Sequence, residues 1–193
     1  MPDEDYAHVR ELLQGNSAEF DYLFDKYQDY VFRTVYGIVG DEEAARDVAQ
    51  EVFVLAYRKI GSFKGTSKFS TWLYRIAVNK ASDYCRKCVR QSRLATLFRQ
   101  NTQQDRSPID FLDEQDAVQA ALMQCPLGHR EVLVLRYYRQ MDLPEISEVL
   151  DVTPAAARVR LHRARAVFRD KYVSKCYPGG IPTCMGEGND AAK

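Results

Sequence analysis

Three histidines in 193 residues, no HExxH pair, no glycine-rich phosphate loop and no GxSxG turn leave little from which to build a catalytic centre. No enzyme activity, cofactor or small-molecule substrate is therefore expected. No apolar run approaches the roughly 20 residues of a membrane span. The opening MPDEDYAHVR is acidic and lacks the apolar centre of a secretory signal, so a cytoplasmic location is expected. The five cysteines, an odd number, argue for reduced thiols rather than a disulfide framework. Strand-like alternation is missing as well, and nearly every periodic stretch has the helical period.

The formal net charge of zero conceals a segregation of sign. Residues 1–53 carry 13 acids against 4 bases. Residues 57–93 carry 10 bases against Asp83 alone, and residues 153–175 carry 7 against Asp170 alone. Two separated basic blocks suit two contacts with a polyanion, most simply nucleic acid, whereas the acidic third suits a basic protein surface.

The apolar positions Phe20, Leu23, Phe24, Tyr27 and Val31 predict a helix capped at Asn16 or Ser17. A second helix starts near Asp41 and buries Ala45, Val48, Ala49, Val52, Phe53 and Ala56. Asp47, Gln50 and Glu51 share its opposite face at i, i+3, i+4. The segment GSFKGTSKFS reads as a loop, and a third helix runs from about Ser70 to Cys88 or beyond. The stretch RQNTQQDRSPID (99–110) is polar and aperiodic, a linker between an N-terminal module and a smaller C-terminal one. The second module reads as helices near 113–124, 127–139, 143–150 and 154–171, with a Gly- and Pro-containing tail after Tyr172.

Asp142-Leu-Pro-Glu145 has capping-box spacing, and Asp151-Val-Thr-Pro154 stops one helix and caps the next. A short helix, a tight turn and a second helix make a helix-turn-helix, whose second helix enters the DNA major groove. On that second helix Ala157, Leu161, Ala164 and Phe168 form the burying stripe. Arg158, His162, Arg165 and Arg169 adjoin it, with Arg160 and Arg163 on the other flank. Such cations pair with phosphates or guanine edges.

The motifs Asp47-Val-Ala-Gln-Glu-Val-Phe53, Phe63-Lys-Gly65, Phe69-Ser-Thr-Trp-Leu-Tyr-Arg-Ile-Ala-Val-Asn79 and Arg160-Leu-His-Arg-Ala-Arg165 occur in this order. Together the sequence over roughly residues 10–172 resembles the extracytoplasmic-function (ECF) class of bacterial RNA polymerase sigma factors. The resemblance implies an all-α fold of two small helical domains joined by a flexible linker, the second containing the helix-turn-helix. Residues 1–93 would form the domain that grips polymerase and melts the −10 element. The linker would span 94–112, the −35 reader 113–172, and a cysteine-containing tail 173–193.

The implied partners are core RNA polymerase, through its β′ clamp and β flap, promoter DNA, and an anti-sigma factor of a kind often anchored in the membrane. Asp47, Gln50 and Glu51 would face polymerase. Phe63, Lys64, Lys68, Trp72, Arg75, Asn79 and Lys80 would hold the melted −10 strand. Arg158, Arg160, His162, Arg163 and Arg165 would read the −35 duplex. Trp72 has two readings, base contact and packing. Ala155-Ala156-Ala157 stands where the family often has Gly-Thr-Val, and Val159 where a small polar residue often precedes Arg160, which leaves the −35 preference open.

Cys85 and Cys88 form a CxxC, and Cys176 and Cys184 lie towards the end of the chain, a low-ranking set of zinc ligands set against unligated thiols. A stand-alone, dimeric helix-turn-helix regulator is the alternative function. A serine recombinase is a third, but it needs a sheet-containing domain for which there is no strand signal.

Overall fold

In a computed structural model, which describes residues 4–98 and 114–176, the described chain is all helix. Helices α1 (Glu4–Leu13), α2 (Ala18–Val39), α3 (Glu42–Lys59) and α4 (Phe69–Phe98) form the first module. Helices α5 (Glu114–Gln124), α6 (Leu127–Leu133), α7 (Leu143–Leu150) and α8 (Pro154–Cys176) form the second. Helix α6 continues into a π-helical turn over Val134–Tyr138, closed by Arg139 N donating to Val134 O at 3.3 Å.

The expected apolar face of α3 is the face that is buried, from Ala45 to Ala56. Its start is fixed by Asp41, which is extended and accepts a bond from Ala44 N at 2.8 Å, satisfying one of the helix's orphan donors. Leu23, Val31, Val35 and Ile38 of α2 meet Val52 of α3 and Phe69 and Leu73 of α4, all almost fully buried. Each such side chain contributes about 1.5–3 kcal/mol on leaving water. In the second module Leu133, Leu135, Ile146, Val149, Leu161 and Ala164 form the equivalent centre.

Several expectations need adjusting. Ser17 is helical and makes no side-chain cap bond, while Asn16 Nδ2 donates instead to Glu19 Oε1 at 3.1 Å. Helix α1 was hidden by the acidity of the first residues, because only Val9, Leu12 and a buried Asp5 face inward over ten residues. Phe168, placed on the burying stripe of α8, is only partly covered. Helix α4 reaches Phe98, five residues into the expected linker, and α8 reaches Cys176. The rest of the linker and the tail from 177 lie outside the described residues.

The two modules also pack on one another. Gly37 of α2 faces Val134, and a methyl group at 37 would sit 2.8 Å from Val134 Cγ2. Ser82 of α4 donates to Glu131 of α6 at 2.6 Å in a buried bond. Arg130 donates to Ile38 O at 2.7 Å and to Cys125 O at 3.2 Å, tying the C-terminal end of α2 to the α5–α6 turn. Arg139 lies over the Tyr30 ring at 4.7 Å and the Tyr74 ring at 5.9 Å.

Candidate nucleic-acid interface and acidic face

The first module carries two chemically opposite surfaces. On α3, Asp47, Gln50 and Glu51 are all exposed and share the face away from the core, as the spacing required. Val54 and Tyr57 continue the exposed strip one and two turns further, 52% and 48% exposed. Glu51 accepts from Lys80 Nζ of α4 at 2.7 Å, so one of the cations assigned to the −10 strand sits beside the acidic face.

Beyond α3, Ile60–Ser62 makes a 3-10 turn and the chain runs through residues 63–68 before α4 begins. This loop and the first turns of α4 line a polar cavity of about 410 Å³. Its walls include Lys64, Thr66, Ser67, Thr71, Trp72 and Arg75. Hydroxyls, two cations and the rings of Phe63 and Trp72 in a concave setting provide donors for phosphate and base edges and a flat surface for a base. Lys64 and Arg75 are exposed.

Phe63 differs from the expectation. It is 7% exposed and its ring packs edge-on to Phe69 at 5.7 Å and tilted to Trp72 at 5.6 Å. It supports the loop from beneath and also forms part of the cavity wall. Trp72 is partly buried against Phe63 and Phe69, which is the packing reading, and it also lines the cavity. Asn79 is exposed two turns along α4. Thr66 and Ser67 of the loop and Thr71 at the start of α4 were not singled out from the sequence, since small hydroxyl residues there carry no distinctive periodic signal.

The second module reaches this cavity. Glu148 forms part of its wall, and Arg75 donates from Nε to the Glu148 carbonyl at 3.0 Å, with Nη2 on the same oxygen. Lys68 Nζ pairs with Glu145 at 2.6 Å. Thus α7 occupies the side of the basic loop that the sequence assigned to DNA.

The helix-turn-helix is built as expected. Asp142 and Glu145 form a reciprocal capping box, with Glu145 N to Asp142 Oδ1 at 2.8 Å and Asp142 N to Glu145 Oε2 at 3.1 Å. Asp151 ends α7 in the left-handed region (φ 53°), which Asp tolerates better than most residues. Thr153 Oγ1 then accepts from Ala156 N at 3.2 Å, and Pro154 opens α8.

On α8, Ala157, Leu161 and Ala164 are buried, and Arg158, His162, Arg163 and Arg165 are exposed. Arg158, His162 and Arg165 border a shallow cavity of about 500 Å³ shared with Asp142, Pro144 and Arg136. Arg160 departs from the set: it is half-buried and lies 3.8 Å from Glu131, the carboxylate that also holds Ser82. Arg160 leans towards α6, while Arg163 on the same flank stays exposed. Arg136 was not anticipated, and its Nη1 bond to Met141 O at 2.8 Å braces the entry to α7.

The described cysteines of the candidate set do not form a metal site. Cys85 and Cys88 sit inside the continuous α4, Cys176 ends α8, and Cys184 lies outside the described residues. Among the described residues no group of three or more His, Cys, Asp or Glu side chains is placed to hold a metal. Burial pushes the Cys85 and Cys125 thiols above their usual ionisation range, which suppresses the thiolate. No helix among the described residues is long and apolar enough to cross a membrane.

An acidic helix face, a basic loop-and-helix cavity and a separate helix-turn-helix are the parts of a two-module protein of the DNA-binding class. Residues 23–91 match the family model for Sigma-70 region 2, and residues 115–167 that for Sigma-70, region 4. The ECF RNA polymerase sigma factor SigW of Bacillus subtilis is 32% identical, over 83% of this chain and 92% of SigW. The RNA polymerase sigma-H factor of Pseudomonas aeruginosa is 31% identical, over 84% of this chain and 91% of that protein. Among solved structures, CnrH in complex with the cytosolic domain of CnrY superposes with a TM-score of 0.66 at 25% identity, covering 87% of this chain and 96% of CnrH. The chain belongs to the ECF sigma factors of bacterial RNA polymerase. It is an alternative sigma factor that directs promoter-specific transcription initiation, and the reading as a stand-alone helix-turn-helix regulator is not favoured.

Proposed function

We propose that this sigma factor, itself non-catalytic, grips core polymerase through the exposed Asp47–Gln50–Glu51 face and captures the melted −10 strand in the cavity formed by loop 63–68 and α4. Helix α8 reads the −35 duplex. The observation that carries the reading is the polar cavity: Lys64 and Arg75 offer charge for phosphate, Thr66 and Ser67 offer hydroxyls, and Trp72 offers a ring. Base–aromatic contacts of about 1–3 kcal/mol are comparable with the few kcal/mol that unstacking a base costs. The acidic α3 face supports the division of labour, because carboxylates repel DNA and favour a basic protein surface.

On α8, the exposed Arg158, His162, Arg163 and Arg165 are the groups that reach phosphate and base edges. Arg160, drawn towards Glu131, contributes mainly by orienting the helix. The likeness to CnrH, which forms a complex with the cytosolic domain of CnrY, supports control by a regulatory protein partner of the anti-sigma kind. Membership of a family that acts with RNA polymerase supports a cytoplasmic site of action.

Reconstitution with purified core polymerase tests the reading. The parent chain is expected to start transcription from a cognate promoter, and Asp47→Lys/Glu51→Lys to bind core enzyme at least tenfold more weakly while still folding. Undiminished core binding by that double variant sinks the assignment of the acidic face.

A further inference from the structure

Helix α1 precedes the matched region 2 segment, which begins at residue 23, and neither DNA-reading element accounts for it. Most of its inward side chains anchor it to α2. Lys26 Nζ donates to the buried Asp5 at 2.5 Å, and the Tyr27 hydroxyl donates to the other Asp5 oxygen. His8 pairs with Glu19 at 2.5 Å and stacks on Tyr22 with ring centroids 4.2 Å apart. Val9 and Leu12 enter the core.

Tyr6 takes no part in those contacts and reaches the other way, to the strand-capture loop. Its ring stands edge-on to Phe63 at 6.3 Å and lies directly against Gly65, where a methyl group would collide with the ring carbons Cδ2 and Cε2. Gly65 is in the left-handed region (φ +68°), so this position excludes a side chain twice, by backbone conformation and by the ring above it. At 42% exposure Tyr6 is not a core residue, and its apolar edge is spent on one loop.

We propose that Tyr6 is a positioning residue for strand capture: its ring clamps the turn at Gly65 and holds loop 63–68 in the shape that presents Lys64, Thr66 and Ser67 to a nucleotide. The inference rests on the strand-capture reading of that cavity. The loop's ends are pinned by Phe63 N to Ile60 O at 3.0 Å and Trp72 N to Lys68 O at 3.2 Å. Between those points, any freedom the loop keeps must be lost when a nucleotide is gripped, and a ring laid over the turn removes part of it beforehand. Aromatic contacts of this kind are worth a few-fold to about tenfold in an equilibrium constant.

The test uses holoenzyme made with core polymerase and a labelled single-stranded oligodeoxynucleotide carrying the non-template −10 sequence of a promoter that the holoenzyme transcribes. Tyr6→Ala is expected to weaken oligonucleotide binding about threefold to tenfold, and Tyr6→Phe to restore it. Core-polymerase affinity and melting temperature should stay near the parent's. Lys64→Ala serves as the control for the underlying reading. If Lys64→Ala binds weakly while Tyr6→Ala binds like the parent, the role of Tyr6 is overturned and the cavity reading survives. If Lys64→Ala also binds like the parent, the cavity reading falls and this role with it. Gly65→Ala approaches the same contact with α1 unaltered, and a Gly65→Ala holoenzyme that binds the strand normally overturns the proposal even where Tyr6→Ala fails to fold.

Discussion

Asp5 shows how a single acid can be misread in an acidic segment. In the sequence it is one of 13 acids in the first 53 residues; in the structure it is 2% exposed, between the Lys26 ammonium and the Tyr27 hydroxyl. Asp5→Ala removes the acceptor and leaves the buried Tyr27 hydroxyl without this partner, while Lys26, a third exposed, recovers part of its hydration. A loss of about 1–3 kcal/mol in unfolding free energy is expected, read as a lower denaturant midpoint with an unchanged slope. The hydrogen bond to Asp5 raises the Lys26 pKa. A group raised in the fold gives stability that is complete below its unfolded value of 10.5 and is lost as pH climbs through the folded value, so the Lys26 contribution is lost on the alkaline side. An unchanged midpoint for Asp5→Ala between pH 6 and 8 would show that α1 is not held by this carboxylate.

At the level of elements, the helix-turn-helix was legible because each of its signals is local. Asp142, Glu145, Asp151, Thr153 and Pro154 act on their own neighbours, and each performs the capping or turning role its spacing implied. The acidic face of α3 was legible for the same reason, since i, i+3, i+4 fixes a shared side without knowledge of the fold. What was not legible depends on distant partners. The packing of Tyr6 on Phe63 and the approach of Arg160 to Glu131 at 3.8 Å each join residues far apart in the sequence. Helix α7 combines both kinds of information, because Glu145 completes the local box and also takes the Lys68 ammonium from the first module. Asp142→Ala is therefore expected to cost about 0.5–2 kcal/mol by exposing an unpaired first turn, and to loosen the Lys68–Glu145 contact. Thermal unfolding combined with amide exchange in residues 143–147 measures both; protection of those amides at the parent level would show that the box does not set the start of α7.

Across the whole molecule, the question is what keeps two modules that read separate DNA elements packed against each other. The ion pair Lys68–Glu145 is exposed and contributes under about 1 kcal/mol. The bond from Arg75 to the Glu148 carbonyl is exposed as well. The firmer contacts lie deeper, in the Ser82–Glu131 bond and in the seat of Val134 on Gly37, where the absence of a side chain lets α2 and the π-helical turn approach. Val134 is fully buried and branched at Cβ, so it has little freedom to move aside. Gly37→Leu should drive the seat apart even though replacing a mid-helix glycine ordinarily favours the helix by about 0.5–1 kcal/mol. Small-angle scattering of Gly37→Leu is expected to give a clearly larger radius of gyration than the parent, with helix content retained. Gly61→Ala, at a position with open space around it, serves as the control and should scatter like the parent. Because Glu148 forms part of the cavity wall, parting the modules also uncovers the Lys64–Arg75 surface, so Gly37→Leu should bind single-stranded DNA more tightly than the parent in the absence of polymerase. A Gly37→Leu chain that scatters as one body and binds DNA no better would place the hold between the modules elsewhere, with the buried Ser82–Glu131 bond next in line.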